Sequence, residues 1–275
     1  MKIKNAMSID LEDWFCVHNM SQAIRREDWD KCEMRVIDNT RRILALLAAH
    51  KTEATFFTLG WIAEQVPELV REIEAAGHEI ATHGYSHTLL TDMTAESFEA
   101  DLKKALLVTQ RCVNQEIVGF RAPSFTVTSK TLWAVDVLTR NGIRYDSSVF
   151  PVGYHPDYGM PDVSLSVYRH NASPLVEFPM SCAEVMGSRI PCSGGGYFRI
   201  LPYAITKRLL ERCNAQGRPV MFYIHPWEID PGQPRVKLPV LKRFRHYYNL
   251  DKTMGRLDRL LRDFEFTSVR RAIGI

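Results

Sequence analysis

The stretch Ala54-Thr55-Phe56-Phe57-Thr58-Leu59, followed through Pro67 and Gly77 to Glu79-Ile80-Ala81-Thr82, decides the fold class. Its first part carries β-branched and aromatic side chains, which suit a pleated and buried surface. Pro67 has the fixed φ and missing N–H that fit the first turn of a helix, and Gly77 closes that helix just past its end. Glu79–Thr82 then reads as a second strand. Strand, helix and strand in this order predict a parallel pair joined by a crossover helix.

The same alternation extends in both directions. Strands are expected at Ala6–Ile9, Ile117–Phe120, Ile143–Tyr145, Leu175–Pro179, Val220–Ile224 and near Phe266–Val269. Between them, Ile43, Leu44, Leu46 and Leu47 recur at helical spacing behind Asp38, a candidate cap. Further helices are expected at Thr94–Cys112, Ser129–Arg140, Pro202–Asn214 and Asp251–Asp263. Pro151–Ser166 and Asp230–Pro239 read as loops. The pattern implies an α/β protein with a mostly parallel sheet, and both a doubly wound sheet and a barrel fit it.

Composition narrows the function classes. The 275 residues are 45% hydrophobic and 24% charged, the balance of an ordinary globular chain with one sizeable core. A net charge of +3 is too weak to argue for nucleic acid. No run of apolar residues is long enough to span a membrane, and Met1–Asp10 lacks the apolar stretch of a signal peptide, so a cytoplasmic protein is expected. The six cysteines are scattered without a Cys-x-x-Cys pair, which argues for reduced thiols rather than a cysteine zinc site or a disulfide framework.

Candidate chemistry gathers at one end of the predicted strands. Asp10, Glu12 and Asp13 follow the first strand, His83 and His87 follow Glu79–Thr82, and Arg121 follows Ile117–Phe120. Asp146 and His225 end two more. In a parallel α/β fold the carboxyl ends of the strands share one face, where active sites form. His83 and His87 stand four apart and would share a face of a helical turn, a spacing that suits a divalent ion with an acid as third ligand. Alone, the pair equally suits two surface histidines in a polar loop. Asp10 and Glu12 point to one side if the strand continues, and Asp13 joins them only if the chain bends. Two close carboxylates are costly unless a cation neutralises one, leaving the other as a general base. Arg121 could orient a carboxylate, and Pro123 stiffens the backbone beside Ser124. His225 could act as a general acid, held protonated by Asp146.

These segments, in order and at these intervals, resemble the polysaccharide deacetylases, the NodB-like carbohydrate esterases of family 4. The resemblance rests on Ser8-Ile9-Asp10-Leu11-Glu12-Asp13-Trp14-Phe15, Thr55-Phe56-Phe57, Gly77-His78-Glu79-Ile80, His83 to His87, Phe120-Arg121-Ala122-Pro123-Ser124-Phe125, Tyr145-Asp146-Ser147-Ser148 and His225-Pro226-Trp227-Glu228. Gly194 to Arg199 and Arg243 to Tyr247 resemble features of the subgroup associated with exosortase and exopolysaccharide clusters.

The resemblance implies a distorted parallel (β/α) barrel of about seven strands, built as one domain over 1–275 with a subgroup-specific extension at about 228–275. It implies a metal-dependent hydrolase that removes N-acetyl groups from an N-acetylated sugar, oligosaccharide or sugar precursor and releases acetate. The setting implied is surface- or exopolysaccharide biosynthesis. Zinc is the expected ion, with Asp13, His83 and His87 as ligands, Asp10 as base, Arg121 positioning the base, and Asp146 tuning the acid His225. Ser124, Phe125 and Trp227 are expected to meet the substrate, Ser124 through its backbone N–H. The family pairs two adjacent aspartates where this chain has Asp10-x-Glu12-Asp13, so Glu12 stands as the alternative ligand or base. Two other readings use the same fold: a cyclic amidase of the allantoinase kind, and a non-catalytic carbohydrate-binding relative. The basic run Arg235, Lys237, Lys242, Arg243 and Arg245 suits either an anionic group on the substrate or a solvated face.

Overall fold

The computed structural model describes residues 3–153, 159–171 and 173–275, so part of the expected loop Pro151–Ser166 lies outside the described residues. Its strands are β1 (Asn5–Leu11), β2 (Thr55–Thr58), β3 (Glu79–Thr82), β4 (Gly119–Phe120), β5 (Tyr145–Asp146), β6 (Tyr168–Arg169), β7 (Val176–Glu177), β8 (Cys182–Val185), β9 (Ser188–Pro191), β10 (Met221–Ile224) and β11 (Phe266–Thr267). Nine of them form one sheet in the order β10-β1-β2-β3-β4-β5-β7-β6, with β11 added beside β1. Every pairing in it is parallel except β6 with β7. The sheet curls into a half-barrel. Beyond β10 the chain adds one more rung, where Gly194 bridges Tyr223 and the Tyr223 N–H donates to Ser193 O at 2.7 Å. Gly194 has φ +128°, and a Cβ there would meet Tyr223 O at 2.0 Å, so only glycine lets the backbones approach.

Strand alternation sorts side chains into two layers. Met7, Ile9 and Leu11 of β1 face outward, where they join Phe56, Ile80 and Ile224 and the helix residues Ile43, Leu47, Leu69, Val70 and Ile73 in one apolar cluster. Ile224, Ile9, Phe56 and Ile80 sit side by side through the register. Burying a phenylalanine such as Phe56 in this layer contributes about 1.5–3 kcal/mol. The inner layer takes Ala6, Phe57, Ala81, Tyr145, Met221 and Tyr223. Tyr145 fills it so closely that a Cβ on Gly119 would fall 2.1 Å from its ring. Even-numbered residues of β1 therefore point inward, and Ser8 and Asp10 lie inside.

The helices flanking β2 fall at Val36–Ala49 and Pro67–Ala75, with Pro67 at the helix start as expected. Asp38 does not cap its helix. It lies exposed in the first turn, and the carboxylate of Asp13 takes the Arg35 and Val36 N–H groups instead, at 2.7 and 2.9 Å. Ser129–Arg140 is helical only over Trp133–Arg140. The β8–β9 hairpin and the short helices Gly195–Ile200 and Val240–Tyr247 have no counterpart in the sequence expectation. All six cysteines are free thiols. Among the described residues, no helix is long and apolar enough to cross a membrane.

Candidate active site

Asp10, Glu12, His83, His87, Ser124, Phe125, His225 and Trp227 line one cavity of about 350 Å³ at the carboxyl ends of the strands. Glu12 reaches it because β1 ends at Leu11 and the chain turns, with Glu12 N–H donating to Asp10 O at 3.0 Å. Asp10 and Glu12 thus share the inner side.

His83 and His87 do not sit on a helical turn. They flank a loop shaped from outside: the Asp101 carboxylate, on helix Ala95–Gln110, accepts the Tyr85 and Ser86 N–H groups at 2.7 and 3.1 Å. Gly84 and His87 both have positive φ, which folds the loop back until the two imidazole centroids lie 5.2 Å apart. His83 Nδ1 is 2.8 Å from Arg121 O. A carbonyl can only accept, so Nδ1 carries the proton and Nε2 is left with a lone pair for a ligand. Burial, and then the neighbouring His87, push the His83 pKa down to about 3, which keeps the ring neutral.

Glu12, not Asp13, completes the set. Ligand atoms of Glu12, His83 and His87 all lie within 4.8 Å of one another. Glu12 Oε2 is sealed from solvent and has His87 Nε2 as its polar neighbour, at 2.9 Å. Burial works against the Glu12 charge, but His87, His225 and His83 draw its pKa below the ordinary carboxylate value. A buried carboxylate oxygen beside two imidazoles is a donor set that could hold a divalent ion with an open position. The expectation that Asp13 is a ligand is corrected by geometry. The Asp13 carboxylate accepts three backbone N–H groups, from Trp14, Arg35 and Val36.

Opposite this set, Arg121 is fully buried and holds Asp10 Oδ1 at 2.5 Å. The guanidinium is fixed in turn by Ser8 Oγ, Ser147 O and Ser147 Oγ, and stacks over the Phe57 ring at 4.0 Å. Asp10 Oδ2 faces His225 Nε2 at 3.7 Å, and Glu12 Oε1 stands 3.4 Å from the same nitrogen.

Asp146 does not tune His225. The partner of His225 is Glu228, whose Oε2 meets His225 Nδ1 at 3.0 Å and also accepts the His225 N–H. Arg199 grips the other oxygen of Glu228 at 2.7 Å and ties it to the carbonyls of Arg245, His246 and Tyr248. Burial alone would lower the His225 pKa. The hydrogen bond and charge of Glu228, followed by the charges of Glu12 and Asp10, raise it to about 9. Burial would raise Glu228, yet Arg199 and His225 bring it down to about 2. His225 also stacks on Trp227, and Trp227 on His246 at a centroid distance of 4.3 Å. No role for Glu228 or Arg199 was read from the sequence, although the three-residue step from His225 to Glu228 matches the capping-box spacing at a helix start.

Ser124 and Phe125 both adopt left-handed backbone, with φ 52° and 56°. Strain of about 1–3 kcal/mol per residue is retained where the surroundings over-determine it, a pattern that clusters at ligand clamps. Of the basic run, Arg245 alone lines the catalytic cavity. Arg235, Lys237 and Arg243 line a separate open groove with Phe244, Tyr247 and Tyr248.

Two blocks of the chain match known families. Residues 29–145 match the polysaccharide deacetylase family, and residues 147–274 match a domain of unknown function (DUF3473). Asp10 and Glu12 precede the first block, and His225 falls in the second. The chain is 31% identical to a peptidoglycan deacetylase of Helicobacter pylori over 117 residues, 42% of this chain and 39% of that protein. It is 35% identical to a chitooligosaccharide deacetylase of Rhizobium leguminosarum bv. trifolii over 105 residues, 37% of this chain and 45% of that one. The matches thus span less than half the length of these relatives. A provisionally assigned polysaccharide deacetylase from Mycobacterium smegmatis shares the fold at a TM-score of 0.63 and 18% identity, covering 99% of this chain and 90% of its own.

Proposed function

We propose that the protein is a metal-dependent carbohydrate N-deacetylase, a reading supported by the match of residues 29–145 to the polysaccharide deacetylase family. The observation that carries this reading is the facing of two groups across one cavity: Glu12, His83 and His87 on one side, and Asp10 with His225 on the other. A sugar-binding relative without turnover would have no use for a buried base aligned by a buried arginine.

Glu12, His83 and His87 would hold the ion, which when bound polarises the acetamide carbonyl and makes the attacking water more acidic. Arg121 keeps one oxygen of Asp10 occupied, so the other is aimed at the cavity as general base. It takes the proton of the attacking water as the new C–O bond forms. The Ser124 N–H would donate to the oxygen of the tetrahedral intermediate as it gathers charge. His225, held by Glu228, gives its Nε2 proton to the departing amine nitrogen as the C–N bond breaks. Free amine and acetate result. Trp227 and Phe125 supply flat apolar walls on which a sugar ring packs.

The substrate in this reading is an N-acetylated hexosamine unit, as polymer or precursor, in surface- or exopolysaccharide synthesis on the cytoplasmic side, with zinc as the ion. The test is acetate release from N-acetylglucosamine oligomers before and after chelation, with zinc added back. Activity should vanish with the metal and return with zinc; turnover that survives metal removal would sink the mechanism.

A further inference from the structure

A second set of metal-type donors lies outside the catalytic cavity. Asp146 of β5 and Glu177 of β7 are register partners, both fully buried, and His170 follows β6 on the next strand. Their ligand atoms fall within 4.8 Å of one another. Asp146 has one oxygen occupied, and Glu177 has one oxygen held by backbone and the other facing His170. Asp146 Oδ1 accepts from Ser148 Oγ, and Glu177 Oε1 accepts the Ser148 and Val149 N–H groups at 3.1 and 2.9 Å. The remaining oxygens converge on the histidine side. Glu177 Oε2 is 3.4 Å from His170 Nε2, and Asp146 Oδ2 is sealed from solvent with no hydrogen-bond partner.

Two carboxylates cannot be buried side by side as anions without a compensating positive charge. Among the described residues, no lysine or arginine forms an ion pair with either. Two carboxylate oxygens and an imidazole nitrogen match a divalent transition ion in donor type. The 3.4 Å contact is close to the edge of about 3.3 Å expected for tetrahedral bonds of about 2.0–2.1 Å.

We propose that Asp146, His170 and Glu177 form a second divalent-metal site, structural rather than catalytic. Its outer contacts lead to the substrate loop: Ser148 Oγ donates to Asp146 and accepts the Ala122 N–H at 2.7 Å, just before the left-handed pair Ser124 and Phe125. The bound ion anchors that loop from behind.

The test counts zinc in the full-length protein after chelation and dialysis against zinc buffered at micromolar free concentration. Wild type should hold two zinc ions per chain, His170→Asn one, and the double variant His83→Ala/His87→Ala one. Zinc should still raise the melting temperature of that double variant, and should fail to do so when His170→Asn is added. His170 sits at the edge of the cluster, so its variant folds even where Glu177→Gln does not. If wild type holds one ion and the His83/His87 variant none, or if His170→Asn still holds two, the proposal fails and the two acids share a proton. A single ion in the His83/His87 variant supports this site whatever becomes of the deacetylase reading.

Discussion

The two carboxylate–histidine clusters use similar donors and differ in what surrounds them. Glu12, His83 and His87 open onto a cavity and face Asp10, His225 and the rings of Phe125 and Trp227. Asp146, His170 and Glu177 are instead held by backbone N–H groups and a serine hydroxyl. Donor type selects a metal. Room for water and substrate, with proton-transfer groups across it, separates a reactive centre from a brace.

The strongest way to break this contrast is to remove the open cluster. His83→Ala or His87→Ala should lower acetate release on the order of a thousandfold or more while leaving the fold intact by circular dichroism. If either variant keeps near-normal turnover, the open cluster is not the reactive one. Asp10→Asn should cost about 10²–10⁴-fold in kcat with zinc content unchanged, since it removes the base and not a ligand. Zinc loss in that variant would move Asp10 into the ligand set.

Glu228→Gln sharpens the contrast at lower amplitude. It leaves His225 in place without its charged anchor and strands Arg199, so kcat should fall about 10–100-fold with KM little changed. Smaller again is the pair Glu12 and Asp13. Glu12→Gln should weaken zinc binding at the open cluster. Asp13→Asn should keep zinc and cost about 1–2 kcal/mol in urea unfolding, because it disturbs the cap of helix Val36–Ala49. The reverse pattern would restore Asp13 as the ligand.

A background acid lability should be measured alongside both clusters. His78 is buried against Phe56 and accepts the Ala54 N–H, and burial depresses its pKa from 6.5 to about 4. The unfolded chain therefore binds the proton first. Stability is full above about pH 6.5 and falls as pH drops toward 4, by on the order of 2–3 kcal/mol. In His78→Gln that part of the slope should flatten; an unchanged slope assigns the acid loss to other groups.

Much of this molecule is legible in order along the chain. Hydrophobic alternation locates the strands, Pro67 and Gly77 bracket a helix, and the polar residues after each strand share one face because the strands are parallel. Glu12 stands beside Asp10 because the chain turns after Leu11, which the β period does not encode. What it does not reveal is partnership. The β8–β9 hairpin and helix Val240–Tyr247 carry no strong local signal, since their placement depends on packing against the barrel and on Arg199.

The sequence by itself determined the parallel α/β architecture and the residues gathered at its catalytic end, because strand period and element order are local properties. Only the tertiary structure decided that Glu12 rather than Asp13 joins His83 and His87, since the N–H groups that claim Asp13 belong to a helix that begins much later in the chain. It likewise assigned Glu228 to His225 and left Asp146 to His170 and Glu177. Hydrogen bonds between distant segments settle which of several equivalent acids stays free, and no local pattern encodes that choice.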